Sequence, residues 1–175
     1  MVRILAFSSL VGDSLANVKI IFVVGGEKMP EHARDILQKL IETCRDGETG
    51  YLHAAGVAHD SELKSYFQQQ SLERARFRVE LTDAITRLGE PDPDTSGSSA
   101  AVLHRAWFEL KDDFGGGDHT LLESVEQGED SAKHSYEEAL EAKLPAGIDA
   151  VVRNQYASVK SAHDRVRRWR DEKAA

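Results

Sequence analysis

Four long stretches of this chain carry apolar residues at the three- and four-residue spacing of an amphipathic helix. Between them stand only short turns and one long loop, and only four prolines interrupt a sequence rich in good helix formers. No alternation of strand and helix patterns follows residue 30, so the chain is predicted to be all-α. The expected helices are about Pro30 to Ala58, Ser61 to Leu88, Asp118 to Leu140 and Ile148 to Lys173.

The lengths of the connections predict the topology. Short turns join the first helix to the second and the third to the fourth, which is typical of antiparallel helical hairpins. The second and third helices are separated by the loop Gly89–Gly97 and by a short amphipathic stretch at about Ser99–Phe114. We therefore expect a four-helix bundle of two hairpins with an extra helix in the crossover.

Composition narrows the class of protein. At 175 residues the chain suits one domain, and its net charge of −8 argues against a nucleic-acid binder. The lone Cys44 excludes an intramolecular disulfide and favours a reducing cytoplasm, and nothing after Met29 is apolar for long enough to span a bilayer. We expect a homo-oligomer, most simply a dimer, with Trp107 and Phe108 of the crossover helix on the bundle's flank or at a subunit contact.

The first 28 residues differ in character from the rest. They contain two β-branched apolar runs and end in Gly25-Gly26-Glu27-Lys28. The codons for these four residues are rich in purines and resemble a bacterial ribosome-binding site just upstream of a start codon. On this interpretation Met29 is the native first residue, and residues 1–28 are a translated leader from a misassigned start. A weak signal peptide and a β-hairpin arm are the alternatives, and the bundle occupies residues 29–175 in each case.

Polar residues interrupt the apolar stripe of every long helix. Because a buried carboxylate is costly unless it is paired, we expect a hydrogen-bonded network that fixes the register of the helices. Arg74 and Gln70 lie on the face of the second helix that could supply partners for the glutamates, and a buried pair of Glu48 with Arg74 is one such arrangement. The alternative is that the glutamates are exposed and form no site. The members expected in this network are Glu48, Tyr51, Gln70, Arg74, Glu129, Tyr136 and Gln155. Asp130 and His134, four residues apart, suit either an exposed ion pair or half of a metal site, of which the surface pair is the commoner.

Three segments carry a resemblance to a known family: Ile41–Tyr51, Glu129–Leu140 and Gln155–Asp164. They resemble a bacterial family of ferritin-like four-helix bundles whose function is unknown, over approximately Pro30 to Ala175. The resemblance implies a ferritin-like bundle and no established activity.

Ferritin-like di-iron proteins use one glutamate from each of two helices and a Glu-x-x-His pair from each of the others. Glu48 and Glu129 stand where the lone glutamates belong, but the pairs are replaced by Glu73-x-x-Arg76 and Lys160-x-x-His163. Cations at ligand positions repel Fe²⁺ and Mn²⁺, so no cofactor is expected.

These departures favour a non-enzymatic structural or stress-related protein in which the polar network replaces the di-iron site. The alternative is an iron- or manganese-binding protein with redox or storage activity, whose ligands would be Glu48, Glu129 and His163.

Overall fold

The computed structural model describes residues 30–87 and 117–174, and this part of the chain contains four helices and no strand. They are α1 (Glu31–Val57), α2 (Ser61–Arg87), α3 (Gly117–Glu141) and α4 (Ala146–Ala174). The predicted all-α class is confirmed. The leader at residues 1–28 and the crossover helix, with Trp107 and Phe108, lie outside the described residues.

The helices pack as two pairs. α1 lies most extensively against α2 and α3 against α4, and the pairs then meet through α1 with α3 and, more sparsely, α2 with α4. Turns of a few residues separate the members of each pair, so each pair is an antiparallel hairpin. This packing is that of a helical bundle.

The turn between α1 and α2 is fixed by two aspartates. Asp60 caps α2, because its Oδ1 accepts hydrogen bonds from the backbone N–H groups of Glu62 at 2.8 Å and Leu63 at 3.4 Å. Asp118, in the first turn of α3, acts across the bundle. Its two carboxylate oxygens accept the backbone N–H groups of His59 and Asp60 at 2.9 and 3.0 Å. The start of α3 thereby ties down the first hairpin's turn.

Two apolar clusters fill the interior, one in each half of the bundle. On every helix a polar or small position separates the residues of one cluster from those of the other. Gly47 stands between Cys44 and Tyr51 on α1, and Arg74 stands between Phe67 and Phe77 on α2. On the other hairpin, Glu129 lies between Val125 and Ala132, and His163 between Val159 and Val166. The bundle is therefore two hydrophobic cores with a polar layer between them.

None of the described helices is long and apolar enough to cross a membrane.

Candidate functional site: the buried polar layer

The centre of the polar layer is an ion pair between α2 and α3. Nη2 of Arg74 donates hydrogen bonds to both Oε1 and Oε2 of Glu129, each at 2.9 Å. Arg74 is 1% exposed and Glu129 is 3% exposed, so water screens neither charge. A charge buried this deeply is tolerable only beside its counter-charge. Each of these two residues therefore depends on the other.

Aromatic rings and a glycine surround the guanidinium of Arg74. Its central carbon lies 5.6 Å from the ring centroids of both Tyr51 and Phe77, within the range of cation–π attraction. A Cβ atom on Gly47 would stand 3.1 Å from Cγ of Arg74 and 3.3 Å from its Cδ. The glycine on α1 thus leaves room for the arginine side chain to cross the core.

The electrostatics of this pair oppose proton transfer. Burial by itself would lower the pKa of Arg74, but the charge and hydrogen bonds of Glu129, together with Tyr51 and Tyr136, outweigh that effect and raise the pKa above its ordinary value. Burial, reinforced by the charge of Glu129, raises the pKa of Tyr51 well above 10. Arg74 stays cationic and Tyr51 stays neutral at physiological pH, so neither group suits a general base.

Several polar atoms of the layer are buried without a hydrogen bond to any residue in the described part. They are Nε and Nη1 of Arg74, the hydroxyl of Tyr51 and Oε1 of Gln70. Gln70 is otherwise only half-buried, as its position on the rim of the core allows. The predicted members Tyr51, Gln70, Arg74 and Glu129 therefore lie on buried or half-buried faces, but only Arg74 and Glu129 of these four are directly hydrogen-bonded to each other.

A second set of hydrogen bonds joins α3 to α4 and α2 through Gln155. The hydroxyl of Tyr136 donates to Oε1 of Gln155 at 2.8 Å, and Nε2 of Gln155 donates to the carbonyl oxygen of Phe77 at 3.2 Å and to Glu80 at 2.9 Å. Because the hydroxyl proton of Tyr136 is engaged, the thiol of Cys44, 3.2 Å away, serves as the donor to that hydroxyl oxygen. This chain of bonds fixes the relative register of four helices.

The sequence suggested a pair between Glu48 and Arg74, but Glu48 pairs with Arg78 instead. Its carboxylate accepts hydrogen bonds from Nε and Nη2 of Arg78, at 3.3 and 3.0 Å, and its side chain is 32% exposed. Arg74 and Arg78 stand on successive turns of the same face of α2. Glu48, at the edge of the core, meets the outer arginine, while the inner one turns to Glu129.

His163 was predicted to share a metal site with Glu48 and Glu129, but it contacts other carboxylates. Its Nε2 lies 3.0 Å from Oδ1 of Asp130 on α3, and its Nδ1 lies 3.0 Å from Oδ1 of the adjacent Asp164. Within the described ranges, one group of three side chains brings its ligand atoms within 4.8 Å of one another, namely Glu126, Asp130 and His163. Glu48 and Glu129 are each held by an arginine and do not belong to that group.

Sequence reasoning missed four participants: Arg78, Glu80, Cys44 as a hydrogen-bond donor, and Glu126. Arg78 carried a usable signal, since it follows Arg74 by one turn, and Glu126 precedes Glu129 by three residues on the same face. Cys44 stands on the apolar stripe of α1, so nothing in the sequence marks it as a donor. Glu80 is exposed and joins the network from outside the core.

Chemically, the layer is charge-neutral and internally paired at its centre. A guanidinium fixed on the carboxylate of Glu129 both occupies the oxygens and repels any approaching metal cation. The arrangement can hold helices in register. It offers no nucleophile with an adjacent base among the residues just described.

Comparison with known proteins gives a family and no activity. Residues 32–142 match the sequence model of a family described as a domain of unknown function, DUF2383. The matched region includes Arg74, Glu129 and Tyr136, whereas Gln155 and His163 lie beyond it. No curated protein matches the chain. Because the match extends over more than half of its length, this chain belongs to the DUF2383 family.

Proposed function

We propose that this protein is a ferritin-like four-helix bundle with a non-enzymatic, structural or stress-related role. In this proposal the ion pair of Arg74 and Glu129 takes the position that a di-iron centre has in ferritin-like oxidases. The observation that carries the proposal is the 2.9 Å contact of Arg74 Nη2 with both oxygens of Glu129 inside the bundle.

The chemistry of the pair supports a structural role. A carboxylate that binds Fe²⁺ or Mn²⁺ must present its oxygens to the metal, but both oxygens of Glu129 accept hydrogen bonds from a cation. The two-core architecture gives the pair a structural role that requires no metal. It connects α2 to α3, one helix from each hairpin, and therefore couples the two hairpins.

The alternative, an iron- or manganese-binding protein with redox or storage activity, requires two arginines to leave their partners. Arg78 would have to release Glu48 at the edge of the core, and Arg74 would have to release Glu129 within it. The second step leaves the buried guanidinium of Arg74 without a counter-charge, and this loss alone costs on the order of 3 kcal/mol. Metal binding at the centre must overcome that cost.

The test is metal content and iron oxidation in tag-free full-length protein produced with supplemented iron and manganese. The proposal predicts that any bound metal is unchanged in Glu48→Gln, and that Fe²⁺ is oxidised no faster than in buffer. Glu48 is about one-third exposed, so the variant is expected to fold. Near-stoichiometric iron or manganese that disappears in Glu48→Gln, or rapid iron oxidation by the wild type, would contradict the proposal and favour the alternative.

A further inference from the structure

A second polar cluster lies on the α3–α4 hairpin, outside the central ion pair. Glu126 and Asp130 stand four residues apart on α3, so they share one face of that helix, and His163 reaches them from α4. One ligand atom from each of these side chains lies within 4.8 Å of the other two. The cluster therefore brings an imidazole nitrogen and two carboxylates together from different helices.

His163 lies between two carboxylates, one from each helix of the hairpin. Its side chain is 7% exposed, and both of its ring nitrogens face carboxylates at 3.0 Å, Nδ1 toward Asp164 and Nε2 toward Asp130. A neutral imidazole has one N–H and can donate to only one of these carboxylates. When Asp164 accepts the Nδ1 proton, the lone pair of Nε2 points at a carboxylate oxygen.

This arrangement is typical of metal-binding histidines. A carboxylate that accepts the proton of one ring nitrogen orients the ring and makes the other nitrogen a better ligand. Asp164 is placed to do this, and Lys160 holds Asp164 in turn through a 2.8 Å contact. Nε2 of His163 would then be the ligand atom.

Glu126 contributes a buried oxygen to the same place. Its Oε2 is buried, and Arg170 forms an ion pair with it. Arg170 also pairs with Asp171 and is partly exposed. Arg170 can therefore release Glu126 without losing its own counter-charge.

The ion pairs that include Glu126 and those that include His163 together carry an excess of two negative charges. Four carboxylates meet two cationic side chains, with the imidazole taken as neutral. The carboxylates are Glu126, Asp130, Asp164 and Asp171, and the cations are Lys160 and Arg170. A divalent cation would neutralise that excess.

We propose that Glu126, Asp130 and His163 bind one first-row divalent transition-metal ion, such as Zn²⁺. One imidazole nitrogen with two carboxylate oxygens suits Zn²⁺, whereas Mg²⁺ and Ca²⁺ prefer oxygen ligands alone. Three protein ligands leave a coordination position for water. The site links α3 to α4 and is independent of the central pair of Arg74 and Glu129.

The test is titration of chelator-treated, tag-free full-length protein with Zn²⁺, and separately with Mg²⁺, by isothermal calorimetry. We expect one Zn²⁺ per chain, with binding weakened by about 100-fold or more in His163→Gln and in Asp130→Asn. Asp164→Asn should weaken it by roughly 10-fold, because that residue orients the ligand. Asp130 is 60% exposed, so Asp130→Asn is expected to fold, and circular dichroism checks each variant.

His134→Gln is the matched control. His134 is an exposed histidine of α3 paired with Glu138 four residues later, but no third ligand joins them in the described residues. Its replacement should leave Zn²⁺ binding unchanged. The proposal is overturned by absence of saturable Zn²⁺ binding, by Mg²⁺ binding of equal strength, or by Zn²⁺ affinity that survives in a folded Asp130→Asn variant.

Discussion

Arg74 and Glu129 form a bidentate contact through a single guanidinium nitrogen, 2.9 Å from each carboxylate oxygen, between the two apolar cores of the bundle. Arg74 has no second acceptor in the described residues, since its Nε and Nη1 are buried without hydrogen bonds. Loss of Glu129 therefore removes the one counter-charge that is hydrogen-bonded to Arg74 in the part of the chain that the structure describes. This dependence separates the central pair from the ion pairs on the surface.

Glu48 should contribute far less to stability than Glu129. The pair of Glu48 and Arg78 is about one-third exposed on both sides, so solvent screens it and Arg78 can be hydrated when its partner is lost. Glu48→Ala is expected to lower the free energy of unfolding by about 1 kcal/mol or less. Urea denaturation of the wild type and the variant measures this. A loss of about 3 kcal/mol would instead place Glu48 among the buried charges.

The two glycines that precede Glu48 and Glu129 should respond to alanine in opposite ways. Gly47→Ala places a methyl group 3.1 Å from the side chain of Arg74, which Glu129 holds in place. Gly128→Ala meets nothing within 4 Å. We expect Gly128→Ala to stabilise the protein by up to about 1 kcal/mol through helix propensity, and Gly47→Ala to destabilise it.

Thermal unfolding of these two variants gives the comparison directly. Stabilisation of similar size in both would show that Arg74 can shift aside without loss. The crowding at Gly47 would then have no part in positioning the guanidinium.

Tyr136→Phe should be costly because it leaves Oε1 of Gln155 without the donor seen at 2.8 Å. A buried acceptor that loses its donor costs about 1–3 kcal/mol. Tyr156→Phe is the matched control, since its hydroxyl also donates at 2.8 Å, to Glu137, but from a half-buried position where water can replace it. Equal free-energy losses in the two variants, measured by urea denaturation, would contradict the structural role of Gln155.

Cys44 should make the protein less stable at alkaline pH. Burial raises the pKa of its thiol from 9.0 to about 11. The folded state therefore retains a proton that the unfolded state loses as the pH rises above about 9. The free energy of unfolding consequently decreases between pH 9 and about pH 11. The expected decrease is on the order of 2 kcal/mol.

The free energy of unfolding as a function of pH, measured for the wild type and for Cys44→Ala, tests this assignment. The variant should lose part of the alkaline slope, while the raised pKa values of Tyr51 and Tyr136 maintain the rest. An identical slope in both proteins would mean that the thiol does not contribute.

The helices and the existence of a polar layer could be predicted because both follow from local spacing. Apolar residues three and four apart define one face of a helix, and Gln155, Arg74 and Glu129 interrupt that face visibly. The cap at Asp60 has an equally local signature. Such features need no knowledge of how helices pack against each other.

Partner choice across helices could not be predicted in the same way. Arg74 and Arg78 share a face of α2, and their long side chains reach in different directions, so the sequence alone does not decide which of them meets Glu48. Likewise, the spacing of Asp130 and His134 suggested a pair, whereas the structure joins Asp130 to His163 of α4 and His134 to Glu138. The contact of Asp130 with His163 depends on the rotation of α3 against α4.

The central claim is that Arg74 and Glu129 stabilise the bundle as a mutually dependent pair, and a double-mutant cycle tests it most directly. The variants are Glu129→Ala, Arg74→Met and the two combined, compared by urea denaturation of metal-free protein. The account predicts a loss of about 3 kcal/mol or more for Glu129→Ala, and a clearly smaller loss for the double variant, because no charge is then stranded. Losses that simply add in the double variant would contradict it.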